Sequence, residues 1–270
     1  MSNIHFRNRA FTLMTFCIIA LIMAACSAVE KAEFAGMEAA AGAIEADTWD
    51  DLLQNFSENL FFCNTPGAVL LVDSPQGRFL EATGVSSVEE ETPMQAGDIF
   101  EIGSITKSFT IAVALQLQEE GVLSLDDPLS QWLPEMAAQV PNGEQITLRQ
   151  LANHSAGTWD YGDPILAAGA TDTSLRQKSF TPEEIMAYAL ENGEPQFDPG
   201  EDQAYSNTNY ILLGMALEEA AGQSMAELYQ TRIFSPLGLN NTFLLEGVPQ
   251  EGQIVDGYFT AESENDDDSG

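Results

Sequence analysis

Two short motifs, far apart in the chain, constrain the fold most, because they make chemical sense only if folding brings them together. The first is Ser104-Ile-Thr-Lys107 and the second is Tyr205-Ser-Asn207. Ser104 is the only serine three residues before a lysine, and Tyr205 is the only tyrosine two residues before an asparagine. Together they supply a nucleophile, an amine and a second proton-handling group, which favours serine acyl-transfer chemistry.

The spacing of the first motif predicts how the serine is activated. A serine hydroxyl is a weak nucleophile until a neighbouring base takes its proton. Positions i and i+3 share a helix face, so we expect Ser104 at a helix start with Lys107 beside it. The positive end of the helix dipole and partial burial both disfavour an ammonium, and so favour the free amine that accepts a proton.

The second motif has two interpretations. In the catalytic one, Tyr205 passes a proton to the leaving group, and the amide of Asn207 hydrogen-bonds the substrate's own amide or carbonyl. In the structural one, Tyr205 packs at a turn and Asn207 caps a helix that begins near Asn209.

Four blocks of sequence resemble, in the same order, the serine beta-lactamase and DD-peptidase superfamily. The resemblance is to the branch that holds class C beta-lactamases, D-alanyl-D-alanine carboxypeptidases and related esterases. The blocks are FEIGSITKSFTIAVALQLQEEGVLSLDDPLSQWLP (100–134), ITLRQLANHSAGTWDY (146–161), FDPGEDQAYSNTNYILLG (197–214) and FSPLGLNNTFL (234–244).

The resemblance covers about residues 50 to 259 and implies both a fold and a set of roles. The implied fold is an α/β, beta-lactamase/transpeptidase-like one, with an antiparallel sheet flanked by helices and a helical lobe. Ser104 is then the acylated nucleophile, Lys107 its base, Tyr205 the second proton carrier and Asn207 a substrate-positioning residue. No metal or organic cofactor is implied.

One family feature does not occur in this sequence. The family carries a third motif, a Lys or His followed by Thr or Ser and then Gly, on a strand well beyond the Tyr-x-Asn motif. No such motif follows Asn207, and His154-Ser-Ala-Gly157 belongs to a different block. The family's third-motif strand gives one oxyanion donor, and losing such a donor costs about 100- to 1,000-fold in rate. We therefore expect a truncated chain with C-terminal sheet strands missing, an exposed sheet edge and a compromised site.

Composition excludes some functions. With 42 acidic against 9 basic residues and a net charge of −33, the surface would repel nucleic acid. His154 is read as a structural histidine near a turn, and Cys63 as a small buried residue. An α/β-hydrolase nucleophile elbow is excluded, because Ile102 and Thr106 replace its glycines.

The N-terminus predicts export. Arg7 and Arg9 precede an apolar stretch from Ala10 to Ala25 that is short for a membrane span of about 20 residues. Met23-Ala-Ala-Cys26 resembles a lipobox, which predicts lipidation of Cys26 and an outer-membrane lipoprotein facing the periplasm. Simple secretion and an uncleaved anchor are the alternatives.

The domain organisation follows from these features. We predict a lipoprotein signal (1–25), an Ala/Glu-rich tether (26–47), a partial hydrolase domain (48–259) and an acidic tail or loop (260–270). Within the domain we predict a helix over 49–62, strands over 67–72 and 78–83, and helix starts at Thr181 and Ser224 with a stop at Gly193.

Two classes of function remain. One is a serine hydrolase acting through a Ser104 acyl-enzyme on beta-lactams, D-Ala-D-Ala peptides or small esters. The other is a catalytically compromised fragment, or a non-catalytic envelope binding protein with the same partial fold. The four motif residues favour the first, and the lack of a third motif favours the second.

Overall fold

A computed structural model describes residues 65–75, 77–172, 178–244 and 254–258. The predicted leader, tether, first helix and acidic tail lie outside these residues, as do Cys26 and Cys63. The chain divides into two compact units, one of residues 1–100 with 252–270 and the other of residues 101–251.

The first unit contains an antiparallel sheet in the order β1-β2-β3, formed by β1 (Gly67–Ser74), β2 (Gly77–Ser87) and β3 (Thr92–Pro93). The two predicted strands are confirmed, and both are longer than predicted. The third strand was not predicted, because two residues are too few to show an alternating pattern. It pairs with β2 through Val85 and Pro93.

Two leucines that face each other on the first two strands are exposed. Leu71 pairs with Leu80, and these side chains are 51% and 39% exposed. The segment 254–258 also joins this unit, since the Val255 N–H donates to the carbonyl of Ile99 at 2.9 Å.

The second unit is helical, as predicted for the middle of the chain. A 3₁₀ turn (Gly103–Ile105) leads into the first helix, and a π turn (Gln230–Phe234) follows the eighth. The helices are α1 (Thr106–Glu119), α2 (Leu129–Trp132), α3 (Pro134–Ala137), α4 (Leu148–Ala152), α5 (Gly162–Thr171), α6 (Pro182–Asn192), α7 (Asn207–Ala221), α8 (Met225–Tyr229) and α9 (Ser235–Leu237).

Side-chain caps fix three of these helix starts. The predicted capping boxes at Thr181 and Ser224 are confirmed, and Gly193 follows the last residue of α6. Thr147 forms a third capping box with Gln150 at the start of α4. Each such cap is worth about 1 kcal/mol.

The core of the second unit lies between α1 and α7, which pack against each other. Leu117 of α1 and Leu212, Leu213 and Leu217 of α7 are fully buried. This packing holds the first turns of the two helices near each other, and those turns carry Lys107 and Asn207. Among the described residues, no helix has both the length and the hydropathy to cross a membrane.

Candidate active site

The 3₁₀ turn before α1 presents the serine and its lysine together. Nζ of Lys107 lies 3.1 Å from Oγ of Ser104. Ser104 is exposed, whereas Lys107 is partly buried. The predicted placement of the two residues, one helical turn apart on the same face, is what the structure shows.

Tyr205 comes to the same point from the extended segment that precedes α7. Its hydroxyl lies 2.6 Å from Oγ of Ser104. Nζ of Lys107 also lies 4.9 Å from the centroid of the Tyr205 ring. The serine oxygen therefore has two proton-handling groups within hydrogen-bond distance.

Asn207, the first residue of α7, connects these groups. Its Oδ1 accepts hydrogen bonds from Nζ of Lys107 at 2.7 Å and from the hydroxyl of Tyr205 at 3.3 Å. Its Nδ2 donates to Oδ1 of Asp160 at 3.0 Å and to Oδ2 at 3.3 Å. Asn207 is predicted to bind substrate, and that stays a prediction; in the structure both ends of its amide contact protein groups.

Asp160 is the site residue that sequence reasoning missed. Its Oδ1 also accepts from the backbone N–H groups of Asn207 at 2.8 Å and Gly162 at 3.1 Å. It lies just before α5, in the same block that contains His154. No local pattern marks this aspartate, because its partner is distant in sequence.

His154 lies behind the tyrosine. Its ring centroid is 4.6 Å from that of Tyr205 and 5.2 Å from that of Tyr210. Its Nδ1 accepts from the backbone N–H of Ser206 at 3.3 Å. Burial, and then the charge of Lys107, lower the pKa of His154, while Asp160 and the Ser206 hydrogen bond act against this shift. The neutral imidazole is therefore favoured beside Tyr205.

Backbone hydrogen bonds join the loop that carries His154 to the segment that leads to Tyr205. The N–H of Ala204 donates to the carbonyl of His154 at 3.0 Å, and that of Gln196 to the carbonyl of Gly157 at 2.8 Å. Below them, the buried hydroxyl of Ser206 donates to the carbonyl of Trp159 at 3.1 Å. The block around His154 thus forms the support for the Tyr205 segment.

A cavity of about 300 Å³ adjoins Lys107 and Asn207. Its other walls are mainly apolar and include Ile211, Met215 and Met225. This space is large enough for a small apolar side chain. Within the described ranges, no three His, Cys, Asp or Glu side chains form a group able to hold a metal ion.

Several known proteins are similar to this chain in sequence and in fold. The family model described as Beta-lactamase matches residues 49–269. Penicillin-binding protein 4* of Bacillus subtilis is 31% identical over 177 residues, which are 65% of this chain and 37% of that protein.

Two solved structures resemble this chain in sequence and fold. A D-stereospecific amidohydrolase from a Streptomyces species is 36% identical with a TM-score of 0.57, over 64% of this chain and 50% of the other. The octameric penicillin-binding protein homologue from Pyrococcus abyssi is 30% identical with a TM-score of 0.66, over 79% of this chain and 48% of the other. This similarity supports the predicted beta-lactamase/transpeptidase-like fold.

The chain spans about half the length, or less, of the curated relatives that it matches. The family match nevertheless covers most of the present sequence and includes both motifs. The chain therefore belongs to the beta-lactamase family.

Proposed function

We propose that this chain is a serine hydrolase that acts through an acyl-enzyme on Ser104. The observation that carries the proposal is the position of the Ser104 Oγ, 2.6 Å from the Tyr205 hydroxyl and 3.1 Å from Nζ of Lys107. The amine can take the proton of the serine hydroxyl, and the phenol can give a proton to the leaving group, which are the two proton transfers that acyl transfer needs.

The proposed reaction begins with attack of the Ser104 Oγ on a carbonyl carbon, while Lys107 takes the hydroxyl proton. The bond to the leaving group then breaks, and Tyr205 gives its proton to that group. The proton held by Lys107 restores the tyrosine. Water then cleaves the ester, so that each turnover yields a carboxylic acid and the protonated leaving group.

The proposed substrates are D-Ala-D-Ala peptides and other D-amino acid amides, beta-lactams or small esters. All contain a carbonyl carbon that a serine can attack. Two similar proteins support the amide and beta-lactam substrates. The one named for penicillin binding supports beta-lactams, and the one named for D-stereospecific amide hydrolysis supports D-amino acid amides. The cavity beside Lys107 offers space for part of such a molecule.

The proposed location is the bacterial envelope, with a lipid on Cys26. This rests on the basic and apolar N-terminal residues and on the Met23-Ala-Ala-Cys26 sequence. Labelling of cells with a radioactive fatty acid tests it. Label in the wild-type chain and none in Cys26→Ser is the expected result, and an unlabelled wild type would contradict lipidation.

The test of catalysis is intact-mass spectrometry of the purified chain after incubation with a penicillin and with an activated ester. We expect an adduct on Ser104 in the wild type and none in Ser104→Ala. In Lys107→Ala the adduct should form much more slowly. The matched control is Ser108→Ala, which removes an exposed hydroxyl one turn further along α1.

The decay of the adduct separates the activities. Fast loss indicates a beta-lactamase or esterase, and a long-lived adduct indicates penicillin-binding behaviour. Full labelling of Ser104→Ala would reject the assigned nucleophile. No adduct on the folded wild-type chain would favour the non-catalytic binding protein or the compromised fragment.

A further inference from the structure

We propose that Asp160 is a positioning residue that fixes the orientation of the Asn207 amide and thereby places Lys107 against Ser104. The inference rests on the proposed function, because its catalytic consequence requires Ser104 to be the nucleophile. It assigns a role to a carboxylate that contacts neither the serine nor the lysine in the structure.

The first step is the chemistry of the facing groups. An ionised carboxylate has only acceptors, so it selects the NH₂ end of a neighbouring amide. Oδ1 and Oδ2 of Asp160 lie 3.0 and 3.3 Å from Nδ2 of Asn207. The two ends of an asparagine amide have nearly the same shape, so such a contact decides which way the amide points.

The second step is what the fixed amide presents on its other side. With Nδ2 directed to Asp160, Oδ1 of Asn207 faces Nζ of Lys107 at 2.7 Å. It also accepts from the hydroxyl of Tyr205 at 3.3 Å. If the amide were reversed, its NH₂ group would face the amine and the phenol, and the acceptor that these two donors now share would be lost.

The third step is that the aspartate is itself held in place. Its Oδ1 accepts from the backbone N–H groups of Asn207 at 2.8 Å and Gly162 at 3.1 Å. Gly162 packs directly on the amide, since a Cβ there would lie 2.5 Å from Nδ2 of Asn207. The turn at the start of α5 is thus shaped around the asparagine side chain.

A charge swap between the two residues tests this arrangement. Asp160→Asn replaces one of the two acceptor oxygens by an NH₂ group that faces Nδ2 of Asn207, and Asn207→Asp places two carboxylates face to face. In the double variant, the new amide donates to the new carboxylate, whose other oxygen accepts from Lys107. We expect each single variant to acylate Ser104 about 10- to 100-fold more slowly, and the double variant to recover most of the loss.

A second readout does not depend on turnover. The sequence contains three lysines, Lys31, Lys107 and Lys178, so selective ¹³Cε labelling gives a spectrum that Lys107→Arg assigns. We expect the Lys107 signal to move in Asp160→Asn, because the Asn207 amide is then held less firmly with its oxygen towards the amine. A merely structural aspartate would leave this signal in place while lowering the thermal midpoint.

The matched control is Asp163→Asn, which removes the same charge from an exposed side chain in the first turn of α5. Wild-type acylation and an unmoved Lys107 signal in Asp160→Asn would overturn the inference. The inference would also be contradicted if the double variant acylated Ser104 no faster than the single variants. If the wild-type chain forms no adduct, the proposed function fails, and the Lys107 signal alone decides the role of Asp160.

Discussion

The imidazole of His154 packs against the ring of Tyr205, with the two centroids 4.6 Å apart and the ring planes tilted by 37°. The backbone of His154 is left-handed at φ 62°, a conformation in which histidine is more common than most residues. This contact brings a titratable ring against the phenol that contacts Ser104. The ionisation of His154 therefore links the stability of this region to pH.

We expect His154 to make the chain less stable in acid. Its pKa is lowered from the ordinary value of 6.5 by burial and then by Lys107, so the unfolded chain binds the proton more readily than the folded one. The free energy of unfolding then falls as the pH drops below about 6.5 and through the lowered pKa. Urea denaturation at a series of pH values measures this fall.

The comparison variant is His154→Asn, because asparagine also tolerates the left-handed backbone. It lacks the titrating ring, so its stability should fall less between neutral and acid pH than that of the wild type. Parallel pH dependence in the two proteins would show that His154 does not titrate as the structure implies.

Tyr205→Phe should slow the acylation of Ser104 by an amide about 100- to 10,000-fold, because it removes the phenol that we propose protonates the leaving amine. The rate of acylation by an ester with a strongly acidic leaving group should fall much less, since that group departs without a proton. Stopped-flow or quenched mass measurements compare the two substrates. Tyr188→Phe is the control, because it keeps the ring that packs near Trp159.

If Tyr205→Phe lowered the acylation rates with the amide and with the activated ester by the same factor, the proton-donor role would be contradicted. Such a result would indicate that the hydroxyl mainly positions Ser104.

Gly157→Ala should cost at least about 2 kcal/mol in the free energy of unfolding. Gly157 has φ 76° and is buried, and a Cβ there would strike the carbonyl oxygen of Phe197. The control is Gly121→Ala, where φ is 71° but no atom lies within 4 Å of the added carbon. Chemical denaturation of both variants separates the backbone strain they share from the close contact present only at Gly157.

If Gly157→Ala and Gly121→Ala lose the same free energy, the close approach of the two loops contributes nothing. A larger loss at Gly157 is the expected result.

The thermal midpoint should rise from low to molar salt. The net charge of −33 crowds carboxylates on the surface, and dissolved ions screen their mutual repulsion. The described ion pairs are few and lie at the surface, with Arg232 partly buried, so their weakening by salt is a small opposing effect. Scanning calorimetry over a salt series measures the midpoint, and a flat response would show that self-repulsion is unimportant.

The sequence predicted local features well because they depend on neighbours along the chain. The Ser104 and Lys107 pair follows helix spacing, and the starts at Thr181 and Ser224 follow side-chain capping rules. The same rule would have found Thr147, where glutamine stands three residues later. These features need no knowledge of distant contacts.

The rest of the site could not be predicted because it depends on which loops meet. Asp160 acts on Asn207, a residue in a different block, and an aspartate before a helix has many ordinary explanations. The contacts of the Asn207 amide follow from that pairing as well. Likewise, β3 has only two residues, which are too few to predict its pairing with β2 from the sequence.

The separation of the two motifs also has a consequence in time. Ser104 contacts Tyr205 across 101 positions of sequence, and the backbone bonds that hold Tyr205 in place involve the loop at His154. A growing polypeptide that has reached only the first motif therefore carries an ordinary serine, without the phenol or the amide that complete its surroundings. If Ser104 is the nucleophile, as proposed, its full reactivity requires that synthesis has passed Asn207 and that the two loops have closed on each other, so the unfinished chain is spared premature acylation.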